Sequence, residues 1–133
     1  MTDNLDDFTL AFLEAALWSS IDDGGEPLDN EHSIADIDPG SLARLAEECK
    51  RFQASPAWQA ALAGDDPRTA HRLGYGCTLE QSAGADFWFT RCGHGAGFWD
   101  GDWQEPHAAA LDALSKQFGN VDLYVADDAK IYA

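Results

Sequence analysis

The stretch from Asp86 to Asp100 (Asp-Phe-Trp-Phe-Thr-Arg-Cys-Gly-His-Gly-Ala-Gly-Phe-Trp-Asp) holds the densest set of side chains able to do chemistry in this 133-residue chain. Arg91, His94 and Asp100 stand around three glycines. Backbone N–H groups of a glycine-rich turn, joined by a guanidinium, make an anion site for a phosphate or carboxylate. These residues are therefore candidates for a small enzyme or ligand-binding domain acting on a phosphorylated small molecule. The Gly-Lys-Ser/Thr ending of a P-loop is missing, and no GxGxxG follows a strand and opens a helix. The same residues also suit a tight aromatic hairpin in which glycines supply positive φ and His94 or Arg91 bonds a carboxylate or backbone group.

Metal and nucleophile chemistry have weaker support. His32, His71, His94 and His107 do not group with Cys49, Cys77 and Cys92 beyond the single pair Cys92 and His94, whereas a structural zinc site needs four ligands in recognisable groups. Cys92, His94 and Asp100 are the residue types of a thiol nucleophile with its base, but neighbours in a hairpin point to opposite faces. Asp22-Asp23-Gly24-Gly25-Glu26 lacks the alternating ligands and terminal Glu of a calcium loop. No metal, cofactor or catalytic residue is assigned, and the chain is read as a binding protein rather than an enzyme. An odd cysteine count without CxxC fits reduced cytosolic thiols.

The more unusual signal is charge. Twenty-four acids against eight Lys plus Arg leave a net charge of −16, well beyond what solubility of a small domain requires. Asp3, Asp6, Asp7, Glu14, Asp22, Asp23, Glu26, Asp29, Glu31, Asp36 and Asp38 all precede Arg44, the first Lys or Arg. Such a field repels nucleic acid and anionic membranes and attracts basic protein surfaces. Direct nucleic-acid and membrane partners are thus disfavoured. Duplex DNA carries one charge per ~1.7 Å of axis, so closely spaced carboxylates on a folded surface are able to compete for a basic DNA-binding groove. A solvated acidic face that only aids solubility is the alternative. The opening MTDNLDDFTLAFLEAALW has no basic n-region, and no apolar run approaches the ~20 residues of a membrane span, so a cytoplasmic location is expected.

These side chains need elements to hold them. Apolar Leu5, Phe8, Phe12, Ala15 and Ala16 at helical spacing predict a helix over 5–19, followed by an exposed acidic loop broken by Gly24, Gly25 and Pro27. Ser33 with Asp36 resembles a capping box. Asp38-Pro39 and Ser55-Pro56 each read as N-cap plus first helical residue, opening a long helix with the stripe Leu42, Leu45, Ala46, Cys49, Phe52 and a short one with Trp58 and Leu62. A further turn from Asp66-Pro67 and one capped by Thr78 and Gln81 come next. Phe87 and Phe89 alternating with Trp88 and Thr90, then Phe98-Trp99 after the glycines, predict a hairpin with a loop of about six residues. Pro106 opens a helix with Leu111, Leu114 and Phe118, and 121–125 with 130–132 predict a second hairpin turning at Asp127-Asp128. The expected fold is a single domain, residues 1–133, of the α+β class: N-terminal helices on a small antiparallel sheet of about four strands, two hairpins separated by a helix.

Ala16-Leu-Trp-Ser-Ser20 with Asp22-Asp-Gly24 and Glu26-Pro-Leu-Asp29, the Asp86 to Arg91 run with Gly93 to Asp100, and Asp122-Leu-Tyr-Val125 with Asp127-Asp128 and Lys130-Ile-Tyr132 resemble segments of small acidic proteins carried by bacteriophages and plasmids. The resemblance spans most of the chain but not 64–82, and Cys92 departs from the polar residue expected there. It brings no established activity and implies a mobile-element origin, for which anti-restriction DNA mimics, anti-CRISPR proteins and nuclease inhibitors are the precedents. The function expected by that analogy is an inhibitor acting in the bacterial host cell on a defence protein with a basic nucleic-acid-binding surface, a CRISPR effector foremost. Its partner-binding residues would be Asp22, Asp23, Glu26, Asp29, Glu31, Asp36 and Asp38, together with Arg91, His94, Trp99 and Asp100 of the glycine-rich segment, where Trp and Arg favour interface hot spots.

Overall fold

The computed structural model describes residues 5–93 and 96–133. Among these residues the order is α1 (Asp7–Ser19), two 3₁₀ turns (Leu28–Asn30 and Ile34–Asp36), α2 (Pro39–Gln53), α3 (Pro56–Ala63), α4 (Ala70–Leu73), α5 (Leu79–Cys92), α6 (His107–Gln117) and an antiparallel pair of short strands, β1 (Tyr124–Val125) and β2 (Ile131–Tyr132). The expected α+β architecture with about four strands is therefore corrected: the chain is helix-rich and carries one two-stranded sheet.

The caps explain most of the helices. Asp6 Oδ1 accepts from the Thr9 N–H at 2.8 Å to start α1, and Asp38 Oδ2 accepts from Ser41 N at 3.0 Å to start α2, with Pro39 in its first turn. Each satisfies one of the orphan donors that open a helix. Ser55 with Pro56 does the same for α3. The apolar stripe expected on α2 is buried at Leu42, Leu45, Cys49 and Phe52.

The first expected hairpin is where the prediction breaks. Thr78 and Gln81 form a reciprocal capping box, and the helix they start runs on through Phe87, Trp88, Phe89 and Arg91 until Gly93 stops it at φ +69°. Gly93 thus has the left-handed conformation that glycine adopts without steric cost at a helix end. Ser82, Ala83, Gly84, Asp86, Phe87, Trp88, Thr90 and Arg91 are all buried. A helix covered on most sides shows no clean 3.6-residue stripe, which is why its aromatic and polar residues read as alternation. It crosses α1 so closely that a Cβ at Gly84 would lie 2.1 Å from the Phe8 carbonyl oxygen.

The core is built between these helices from Phe8, Phe12, Phe52, Trp58 and Phe87, with Phe52 and Phe87 centroids 4.6 Å apart. Residues 96–104 fold back along α5 instead of forming a strand. Gly97 passes Thr90 at a distance a side chain would close, Phe98 N donates to Thr90 Oγ1 at 3.1 Å, and the Phe98 ring stacks on Phe52. The second hairpin does form, with Tyr124 opposite Tyr132 and Val125 opposite Ile131. A parallel bridge from Ile131 to Ile37 then docks it beside the start of α2.

Candidate functional site

The acidic loop after α1 is ordered by its own backbone. Ile21 and Pro27 form an antiparallel bridge, and Leu28 N donates to Ser20 O at 2.9 Å. Asp22 Oδ1 accepts from Gly24 N at 2.8 Å and Glu26 N at 3.0 Å, an Asx turn of the kind short acids make with residues two and four onward. Asp22 is thus spent partly on shape, and Asp23, Glu26, Asp29 and Glu31 are left exposed on that shape. Glu26 also accepts from Asn30 Nδ2 at 3.1 Å. Buried Leu28 fastens the turn that follows to the core.

Asp36 Oδ2 closes back on Ser33 N at 2.9 Å and lies 3.5 Å from His32 Nδ1. Asp38 caps α2, and its own N–H donates to Ile131 O at 2.7 Å. That bond, with the Ile37 to Ile131 bridge, brings the C-terminal hairpin against the acidic segment. The result is a groove of about 410 Å³ whose walls include Ile21, Asp22 and Asp23 on one side and Leu123, Tyr124 and Asp127 on the other. Among the described residues no Lys or Arg forms an ion pair with Asp22, Asp23, Glu26, Asp29, Glu31, Asp36 or Asp38. Carboxylates distant in sequence therefore share one face, and His32 is the basic group set against it. In the hairpin turn, Tyr132 donates to Asp128 Oδ2 at 2.7 Å. This bond, with the Lys130 N–H, holds the Asp128 carboxyl below its usual range, and the bond to Asp128 pushes the Tyr132 hydroxyl up to about 12.

The glycine-rich segment is arranged differently from the acids. Arg91, 4% exposed, turns its guanidinium inward to Glu48 Oε1 at 2.8 Å and to the carbonyls of Gly119 at 3.0 Å and Phe118 at 3.2 Å. It also lies over the rings of Phe87 and Phe118. Asp100 instead accepts from the N–H groups of Gly97 and Asp102 at 3.2 Å each, shaping its own loop. Arg91 and Asp100 thus serve separate elements, and His94 lies outside the described residues. Trp99 remains 55% exposed on the tip of the loop.

A polar network that the sequence did not announce joins α4, α5 and the 96–104 loop. Arg68 grips Asp66 through Nε at 2.9 Å and Nη2 at 2.7 Å, and donates to Cys77 O and Ser82 Oγ. That grip holds the Asp66 carboxyl below the usual range. Asp86, 3% exposed, accepts from Trp103 Nε1 at 2.6 Å and lies 3.6 Å from Arg72 Nη2. Burial pushes its carboxyl up to about 6 against the pull of Arg72 and the indole bond. Asp66 and Arg68 are two residues apart, but no local spacing marks Arg72, Asp86 and Trp103 as partners, which meet only once the chain has folded; the one available signal is that Arg68 and Arg72 are two of just eight cations.

Among the described residues no group of three His, Cys, Asp or Glu side chains is placed to hold a metal ion, and no helix is long and apolar enough to cross a membrane. Comparison with family models, with curated proteins and with solved structures returned no match.

Proposed function

We propose that this chain is an acidic inhibitor of mobile-element origin that binds a host defence nucleoprotein or nuclease, an anti-CRISPR or related DNA mimic occupying a basic nucleic-acid-binding surface. The observation that carries this reading is the acidic groove of Asp22 and Asp23 joined by Asp127 of the hairpin, continued along the same exposed segment by Glu26, Asp29 and Glu31, with no guanidinium or ammonium paired to the loop acids among the described residues. Carboxylates held on an ordered loop reach a basic groove with little conformational entropy left to lose, which favours affinity as well as attraction. The field of the −16 charge adds long-range steering that salt removes over a Debye length of about 8 Å.

The test is competition. A purified CRISPR effector with its guide is challenged with labelled target DNA and increasing amounts of this protein, at salt from about 50 to about 200 mM. Inhibition should weaken steeply across that range and disappear when Asp22, Asp23, Glu26 and Asp29 are reversed to lysine. Inhibition that ignores both salt and charge reversal would remove the electrostatic mechanism, and absence of any bound partner in affinity purification from a defence-proficient host would remove the function. Trp99 supports a second binding mode, because a half-exposed indole at a loop tip is the side chain most often found as an interface anchor. Under that mode Trp99→Ala weakens binding more than any single acid does.

A further inference from the structure

A second groove lies on the other flank of the acidic segment. Leu10, Glu14 and Leu17, spaced so that they share one face of α1, form one wall, and Asp29, Ser33, Ile34 and Ala35 form the other. Its volume of about 480 Å³ falls within the ~300–1,000 Å³ typical of ligand pockets. The floor is aliphatic and each wall carries one carboxylate, Glu14 on the helix and Asp29 on the turn. Neither is ion-paired to a Lys or Arg among the described residues. Segment 21–35 is thus a ridge with grooves on both flanks, acids on the hairpin side and apolar floor with acidic rims on the α1 side. Apolar floors with charged rims seat the buried face of an amphipathic helix whose polar residues carry the opposite charge.

We propose that the groove between α1 and residues 29–35 receives aliphatic anchors from an amphipathic, lysine- and arginine-rich segment of the partner protein. This rests on the reading that the partner presents a basic surface, and adds that the surface carries apolar side chains in register with its cations. Charge would bring the two proteins together, and the groove would decide which basic protein stays.

The probes are two synthetic peptides about 18 residues long, or five helical turns, of identical leucine, lysine and arginine content. One places leucines at i, i+3, i+4 and i+7 to form a stripe; the other scatters them. Binding is followed by fluorescence anisotropy at about 0.15 M salt. The striped peptide should bind at least about tenfold more tightly, the difference made by seating one leucine or more. Ala35→Trp, at an exposed position on the groove wall, fills the groove without changing charge. It should abolish the preference for the striped peptide while leaving the scattered one unaffected, with thermal unfolding confirming a folded variant. Ile34→Gln, which replaces part of the apolar wall by an amide, should act in the same direction. Equal binding of the two peptides, or an undiminished preference in Ala35→Trp, would overturn the proposal while leaving the electrostatic reading standing; binding of neither would overturn the proposal and count against that reading as well. Conversely, a stripe preference that persists when charge reversal at Asp22 and Asp23 alters nothing would sink the electrostatic reading and keep the groove.

Discussion

The interior around α5 and the ridge formed by residues 21–36 treat charge in opposite ways. Inside, Arg68, Arg72 and Arg91 are buried or nearly so, and each meets a carboxylate: Asp66, Asp86 and Glu48. On the ridge, Asp23, Glu26, Asp29 and Glu31 stand exposed with no Lys or Arg paired to them among the described residues. Three of eight cations are therefore committed to holding the helices, α4 and the returning loop together, and the surface is left strongly negative as a consequence. A protein selected only for solubility has no reason to withhold its cations from one side. The contrast separates acids that build the fold from acids available to a partner.

The sharpest way to break that contrast is to remove an interior cation. Arg91→Ala would strand Glu48 and unbond the carbonyls of Phe118 and Gly119, and losing one member of a buried pair costs about 3–5 kcal/mol. Urea unfolding should show a large drop in midpoint with little change in slope; a loss under ~1 kcal/mol would mean that the surrounding rings alone position α5.

Asp86→Asn sharpens it through pH. The Asp86 carboxyl sits at about 6 when folded and near 3.9 when unfolded. The folded state therefore holds its proton more tightly, and the stability this group contributes is fully present below pH 4 and lost as pH rises through 6. From pH 4 to pH 7 that loss is about 2 kcal/mol. An amide has no such loss, so the variant should gain about that much on the native protein across the interval. Asp66 and Asp128, whose carboxyls are held low, act in the opposite direction but are present in both proteins and cancel. Parallel pH curves would show that Asp86 is not the titrating group.

How far these regions were legible in the sequence follows from the range of the forces that build them. Caps are local, so Asp38-Pro39, Ser55-Pro56 and the stripe Leu42, Leu45, Cys49, Phe52 marked α2 and α3 directly. The hairpin at Asp127-Asp128 was equally visible because alternation and turn lie within a dozen residues. Helix α5 was hidden by its own centrality: Phe87, Trp88, Thr90 and Arg91 are buried on different sides, and the resulting pattern has no helical period. The acids of 22–31 could be counted, but the approach of Asp22 and Asp23 to Asp127 depends on Ile37 meeting Ile131, a contact across the length of the chain. Arg72 gave no hint of Asp86 because the two meet only when α4 packs on α5.

Within the acidic segment itself the contrast predicts two grades of effect. Asp38 belongs with the builders, since its carboxylate caps α2; Asp38→Ala should cost about 1 kcal/mol, seen as a lowered melting temperature. Asp23 and Glu31 belong with the others, because no hydrogen bond or ion pair within the described residues engages either side chain. Converting both to lysine should move stability by no more than about 0.5 kcal/mol, with a slight gain where self-repulsion of a −16 chain is relieved. The same pair of changes should slow association with a basic surface and flatten its salt dependence. If the double lysine variant melted several degrees lower, the ridge acids would prove to be structural, and the division between the two regions would collapse.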